Sequence, residues 1–312
     1  MRLNARGIGW VVLLVTGACD RPPPARSNDT VVPVTSLPET VVMAPVPVAP
    51  AWDTAAGQVF LVAGPNAEQA TVIVPAIDTG ASLDTVRFDV SRYRSMPLDL
   101  FVAGRRVGAG TVGARVNLDA PEDCSAWPMV RITGASDTSG AWTVAFRADL
   151  FHPLGVDSIA NLPRPDSLRL VSAITRVAAT VPGDTVDALR GIPFVVRRAV
   201  RATLATGSVL VVAEVERALN QEANPVQEHM LLLAERDSAG AKGYRRGYFE
   251  RTTGGEESLE SSELLLLGTP RNRTQPVLLL ARYLGDGVVY SLLERSAAGT
   301  WRLRWSSPYA GC

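Results

Sequence analysis

The chain is short of the side chains on which much enzyme chemistry depends. Its 312 residues include only two histidines, His152 and His229, which leaves little material for Ser-His, Cys-His or histidine-rich metal sites. Lys242 is the single lysine, so amine nucleophiles have almost no candidate. Basic and acidic side chains number 31 each, and a balanced chain has no summed field to attract nucleic acid. We therefore expect no nucleic-acid partner.

The sequence also lacks the glycine-rich signatures of nucleotide and acyl-transfer sites. It contains no P-loop, no dinucleotide fingerprint and no Gly-x-Ser-x-Gly elbow. We accordingly expect no cofactor and no metal. The bulk composition, with 46% hydrophobic and 20% charged residues, is that of a globular protein able to bury one large core or two ordinary ones.

The first nineteen residues have the arrangement of an export signal. Arg2 and Arg6 precede the apolar run "IGWVVLLV", which at 8 residues is too short to cross a bilayer. The following "TGAC" resembles the lipobox of bacterial lipoproteins, although Thr16 stands where that family usually has leucine. The resemblance implies lipidation at Cys19 and a lipid-anchored protein of the bacterial cell envelope, facing the periplasm or the exterior. Plain cleavage near Ala18, without lipid, is the alternative.

A proline-rich segment follows the proposed lipidation site. Residues 20–50 contain eight prolines and no glycine. Proline lacks the amide donor that a sheet needs and interrupts helices, so this composition favours extended polyproline II. We expect a tether that reaches up to roughly 90 Å at about 3 Å per residue.

Two cysteines remain once Cys19 is assigned to lipidation, namely Cys124 and Cys312. In an oxidising compartment the simplest account is a disulfide between them. Free or intermolecular thiols are the alternative.

Beyond the tether, short apolar runs alternate with Gly, Pro, Asp and Asn, which is typical of strands. We expect a mainly β fold of antiparallel sheets, as a sandwich, a barrel or part of a propeller. One or two helices should lie between two β-rich halves. The expected divisions are a signal peptide (1–18), a tether (19–51), an N-terminal β-rich region (52–154), a helical connector (155–191) and a C-terminal antiparallel β region (192–312).

The connector contains the clearest helical pattern. "PDSLRLVSAITRVAAT" predicts a helix with Asp166 as its N-cap, and a second short helix is expected over residues 185–190, capped by Asp184. The apolar residues at helical spacing in the first helix are Leu168, Val171, Ile174 and Ala178.

Alternation in the last apolar run, "TWRLRW", makes a further prediction about side-chain direction. Trp301, Leu303 and Trp305 should share one face of a strand, with Arg302 and Arg304 on the other.

One short motif resembles an enzyme signature. "AIDTGAS" is similar to the loop that presents a catalytic carboxylate, here Asp78, in aspartic proteases. That chemistry needs two such loops, either from one chain or from the two chains of a retroviral-type dimer, and "SDTSG" at residues 136–140 does not supply the second within this chain. Pro75 would also remove a hydrogen-bond donor from the strand leading into the motif. An ordinary turn is therefore the favoured interpretation, with an Asp78 protease as the alternative.

Three polar stretches could carry other chemistry, and each has a structural interpretation that we favour. "NQEANPVQEH" could form a metal or acid/base site with Glu222, Glu228 and His229, or a polar hairpin loop. "GGEESLESSE" could bind Ca²⁺ or be a solvated acidic loop; its carboxylates are Glu256, Glu257, Glu260 and Glu263. "RRAVR" could bind an anion through Arg197, Arg198 and Arg201, or be an exposed strand edge.

The sequence thus predicts a lipid-anchored envelope protein with a non-catalytic binding or scaffold role. Its partner would be another envelope protein, a cell-wall ligand or a small ligand. The alternative is an envelope hydrolase, most concretely an aspartic protease using Asp78.

Overall fold

The computed structural model describes residues 60–64, 67–75, 83, 89–116, 124–134, 142–148, 150–183, 186–219, 226–238, 243–255, 260–271 and 273–312. The first strands of this part of the chain are β1 Phe60–Ala63, β2 Gln69–Ile73, β3 Pro97–Val102, β4 Arg105–Val116, β5 Met129–Thr133 and β6 Val144–Arg147. They close into an antiparallel barrel in the order β1-β2-β5-β4-β3-β6.

The remaining elements form two sheets and one helix. In chain order they are β7 Phe151–Pro153, β8 Asp157–Ser158, α1 Arg164–Ala179, β9 Val195–Thr203, β10 Val209–Leu219, β11 Val226–Arg236, β12 Arg245–Gly254, β13 Glu260–Pro270, β14 Val277–Leu284, β15 Gly287–Ala297 and β16 Thr300–Ser306. The helix-side sheet has the order β12-β11-β10-β9-β8, and the barrel-side sheet has the order β16-β15-β14-β13-β7. Both sheets are antiparallel throughout. The predicted mainly β, antiparallel fold is confirmed.

Side-chain alternation stacks these elements into layers. Along β10, Val211 and Ala213 pack with α1, whereas Leu210 and Val212 pack in the core between the two sheets. Along β14, Leu278 and Leu280 belong to that same inter-sheet core, while Val277 and Leu279 pack with the barrel. The order is therefore helix, helix-side sheet, barrel-side sheet and barrel. Strands that are buried on both faces have continuous apolar sequences, which explains the runs "VLVVA" in β10 and "VLLLA" in β14.

The helix is present, but its start and its buried face differ from the prediction. Pro163 occupies the N-cap position and Asp166 lies in the first turn, where its amide donates to the Pro163 carbonyl over 2.8 Å. Proline fits a first helical turn because its missing amide would have no partner there, so the helix begins before Pro165. Leu168 is 60% exposed. The buried residues are Leu170, Ile174, Val177 and Ala178.

The second predicted helix is a single 3-10 turn, Asp187–Leu189. Gly191, with φ at 82°, ends this segment in a left-handed conformation that suits glycine. The expected cap, Asp184, lies outside the described residues.

The expected alternation in β16 is broken before its last tryptophan. Leu293 pairs with Leu303, and the neighbouring Leu292 pairs with Trp305. An advance of one residue along β15 therefore corresponds to an advance of two residues along β16. This bulge turns Trp305 toward the barrel, whereas Trp301 and Leu303 remain in the inter-sheet core. The prediction of one shared aromatic face is therefore wrong.

Cys124 and Cys312 form a disulfide across a sequence separation of 188 residues. Beside it, Ser125 and Gly311 exchange backbone hydrogen bonds of 3.0 and 2.9 Å. Ala310 forms a similar bridge to Val288 at the start of β15. The end of the chain is thus fixed both to the segment before β5 and to the barrel-side sheet. In the part of the chain that is described, α1 and the 3-10 turns are too short or too polar to span a membrane.

Candidate functional site

The most concentrated polar cluster lies between the two sheets. The strand face that carries Leu210 and Val212 on β10 continues to Glu214, and the face that carries Leu231 and Leu233 on β11 continues to His229. Glu250 on β12 pairs with Leu231 and therefore shares that face. Across the gap, Glu260 and Arg282 come from β13 and β14. The inter-sheet cluster comprises Glu214, Glu216, His229, Tyr248, Glu250, Glu260 and Arg282.

Arg282 binds two carboxylates within this cluster. Its Nη2 lies 2.6 Å from Glu250 Oε2 and 2.7 Å from Glu260 Oε2. Its Nε donates to Glu260 Oε1, and the Tyr248 hydroxyl donates to Glu250 Oε1. This arrangement ties β12 to β13 and β14 across the gap between the sheets.

His229 lies between two further carboxylates, both on β10. Its Nδ1 is 3.7 Å from Glu214 Oε1, and its Nε2 is 3.2 Å from Glu216 Oε2. On the other side of β10, Arg198 Nε lies 2.9 Å from Glu214 Oε2 and Arg197 Nε lies 3.2 Å from Glu216 Oε2. Each carboxylate therefore has a partner on both neighbouring strands.

Burial changes the acidity of several of these groups. It raises the pKa of Glu214, against the opposing attraction of Arg198, and the backbone amide of Ser262 also bonds this carboxylate. Burial likewise raises the pKa of Glu250, against Arg282. The pKa of Tyr248 is raised by burial and by the adjacent charge of Glu250. Glu214, Tyr248 and Glu250 thus hold their protons more tightly than exposed groups of the same kind.

The space at the cluster is small. A cavity of about 10 Å³ is lined by Glu214, His229, Glu250, Thr252, Glu260 and Ser262, together with parts of two apolar neighbours. That volume holds roughly one water molecule. Among the described residues, no group of three His, Cys, Asp or Glu side chains is arranged to hold a metal ion. The geometry therefore suits cross-linking of two sheets better than binding of a peptide or sugar.

Glu228 and His229 do not share a site. Both lie on β11, which begins at Val226, so the prediction of a hairpin loop is wrong for these two residues. Because successive strand residues face opposite sides, Glu228 lies on the helix side, where Arg217 Nη2 is 2.9 Å away and Arg251 Nε is 3.1 Å away. Glu222 lies outside the described residues.

The acidic stretch "GGEESLESSE" is also partly strand. Glu260 and Glu263 belong to β13, and Glu263 accepts a hydrogen bond of 3.1 Å from the Tyr283 hydroxyl. The solvated-loop prediction is therefore wrong for these two residues, because the apolar β13 run begins within the acidic stretch. Glu256 and Glu257 lie outside the described residues.

The three arginines of "RRAVR" lie on β9, beside the short edge strand β8. Arg197 and Arg198 pair with Glu216 and Glu214, as described above, and Arg201 lies 3.7 Å from Asp157. Each guanidinium therefore already has a carboxylate partner. Asp78 and Cys19, the candidate catalytic and lipidated residues, lie outside the described residues.

Sequence reasoning missed Glu214, Glu250 and Arg282 as members of a cluster. A signal existed for Glu214, because "VLVVAEVE" places an acidic residue inside an apolar run that is buried on both faces. No such signal marks Glu250 or Arg282, since their contact depends on which sheet faces which.

No protein family, no curated protein and no solved structure matched this chain.

Proposed function

We propose that this protein is a lipid-anchored component of the bacterial cell envelope with a non-catalytic binding or scaffold role. In this proposal Cys19 carries the lipid, residues 20–50 form the tether, and the β body contacts another envelope protein or a cell-wall ligand. The membrane is a partner only through the lipid.

The observation that carries the proposal is the combination of the lipobox-like "TGAC" with the disulfide between Cys124 and Cys312. Disulfides persist in oxidising compartments and are rare in the cytosol, so the bond agrees with export. A tether extends the reach of an anchored domain toward a partner, which raises the effective concentration of the two.

The inter-sheet cluster suits a structural link between the two sheets better than catalysis. Its carboxylates are held by arginines on a neighbouring strand or across the gap between the sheets, and its cavity accommodates about one water molecule. A general acid or base must reach its substrate within hydrogen-bond distance, and this cluster leaves no room for one.

The test of the anchor is membrane fractionation of cells that produce the native chain or Cys19→Ala. We expect the native chain in the membrane fraction and Cys19→Ala outside it. Arg2 and Arg6 are unchanged in this variant, so export itself serves as the control, read from formation of the Cys124–Cys312 disulfide. Equal membrane association of both proteins would contradict lipidation at Cys19.

The second candidate function is an aspartic protease, favoured only by the resemblance of "AIDTGAS" to that family's loop. Peptide cleavage by the native chain that is abolished both by pepstatin and by Asp78→Ala would establish it. We expect no pepstatin-sensitive cleavage from either protein.

A further inference from the structure

A cleft on the barrel lies where β4 extends beyond its neighbour β3. The pairing of these strands ends at Pro97 and Thr111, so the last residues of β4 run on without β3 beside them. A 3-10 turn, Val90–Tyr93, faces this overhang. The segment after the turn is fixed to β4 because Ser95 donates to the Val112 carbonyl over 2.7 Å. The cleft between them has a volume of about 190 Å³.

Two backbone irregularities meet at this cleft. Val112 pairs with Ile132 and Arg115 with Val130, so three steps on β4 oppose two on β5. A bulge of this kind leaves one residue unpaired and re-aims the side chains around it. Ser95 has φ at 63°, an uncommon conformation for a residue other than glycine. Strained or bulged backbone of this kind is frequent beside binding sites.

The cleft carries two arginines without an ion pair in the described part of the chain. Arg94 follows the 3-10 turn and Arg115 follows the bulge, and both line the cleft. By contrast Arg106, elsewhere on β4, lies 2.6 Å from Asp99.

One carboxylate, Asp89, also lines the cleft, and its oxygen is engaged locally. Asp89 Oδ1 accepts bonds from the Ser91 hydroxyl and from the Ser91 amide, the latter over 2.9 Å. With Asp89 ionised and both guanidinium groups charged, the described residues of the lining carry one net positive charge.

We propose that this cleft binds the phosphate group of a small ligand through Arg94 and Arg115. Guanidinium groups match phosphate oxygens in pairs of parallel hydrogen bonds, and such charge-assisted bonds are stronger than neutral ones. Gly113 and Ala114, in the bulged segment, lie on the same lining. The site gives a ligand class to the binding role proposed above. The phosphate proposal rests on that binding role but not on the lipid anchor. If phosphate does not bind, the result of the membrane fractionation is therefore unaffected.

The test is titration of the purified full chain with inorganic phosphate, followed by calorimetry and by the amide NMR signals of Gly113 and Ala114. We expect saturable binding in the millimolar range, localised to those signals. Arg94→Gln and Arg115→Gln should each weaken binding at least tenfold. Arg176→Gln is the matched control, because Arg176 is exposed on α1, in the layer farthest from the barrel, and should leave binding unchanged.

Asp89→Asn is a variant for which we expect phosphate affinity to rise rather than fall. Asparagine can still accept the Ser91 bonds, so the turn is kept while a repelling charge is lost, and phosphate should bind more tightly. Non-saturating titration, equal weakening by Arg176→Gln, or equal binding of acetate at the same ionic strength would overturn the proposal.

Discussion

Among single residues, Glu235 shows how a buried charge depends on hydrogen-bonding partners for its stability. The residue is 1% exposed and lies in the inter-sheet core. Arg295 binds both of its oxygens, with Nε 3.1 Å from Oε2, and the Trp301 indole nitrogen donates to Oε2 over 3.3 Å. A buried carboxylate deprived of such partners keeps its full desolvation cost.

We therefore predict that Arg295→Met lowers the free energy of unfolding by about 3–5 kcal/mol. Arg302→Met is the matched control, since Arg302 is 55% exposed and its pair with Glu294 spans 3.3 Å. Exposed pairs contribute about 1 kcal/mol or less, so this variant should change little. Urea unfolding measures both. Equal losses would contradict the distinction between the two pairs.

Acid–base linkage gives a second prediction at this scale. Burial raises the folded-state pKa of Glu214 and of Glu250 above the unfolded value near 4.5. The folded chain therefore binds more protons than the unfolded chain between that value and the raised pKa. The contribution of these groups to stability is present at low pH and is lost as the pH rises through their folded pKa.

The free energy of unfolding should accordingly gain from these two groups as the pH falls through their folded pKa toward 4.5. Glu250→Gln removes one titrating group while keeping a hydrogen-bond acceptor for Tyr248, so its stability should depend less steeply on pH over this window. Urea unfolding at several pH values gives both slopes. A steeper slope for Glu250→Gln would contradict the assignment.

At the scale of elements, α1 was predicted as a helix, but its buried residues were only partly predicted. The 3.6-residue period fits both the predicted stripe and the observed one, which share Ile174 and Ala178. Leu168 satisfies the period but is exposed, because the helix-side sheet packs against the face that carries Leu170.

Ile174→Ala should therefore cost about 2–5 kcal/mol, the range for a buried residue that leaves a cavity. Leu168→Ala should change stability by about 0.5 kcal/mol or less, since it removes an exposed side chain and alanine favours helix. Chemical denaturation of the two variants measures the difference. Similar losses would place the buried face of α1 elsewhere.

The strands show the same limit of sequence reasoning. Apolar runs and turn residues were enough to predict antiparallel strands, because those patterns depend on neighbours along the chain. The bulge that turns Trp305 to the barrel, and the strand position of Glu260, were not predictable, because each depends on pairing partners distant in sequence. For the same reason the inter-sheet cluster emerged only from the structure.

At the scale of the whole molecule, the Cys124–Cys312 disulfide closes a long covalent loop. On the chain-entropy model, a bridge across 188 residues stabilises the folded state by about 5 kcal/mol at most, by restricting the unfolded chain. Pairing of the two cysteines was the simplest expectation once Cys19 was assigned to lipidation, whereas the layered order of helix, sheets and barrel could not be predicted.

Cys124→Ser and Cys312→Ser should each lower stability by up to about 5 kcal/mol, and the double variant should lose no more than either single one. Unfolding in the presence of a reductant is the control, since the native chain should then resemble the variants. Additive losses in the double variant would show that the serines act through packing rather than through the bond.

We propose above that the chain is exported, processed at Cys19 and oxidised. Mass spectrometry of protein purified from its native membrane tests it most directly. We expect a polypeptide that begins at Cys19, carries added acyl mass there, and contains no free thiol at Cys124 or Cys312. An unprocessed chain that retains Met1, with all three cysteines free and unmodified, would contradict it.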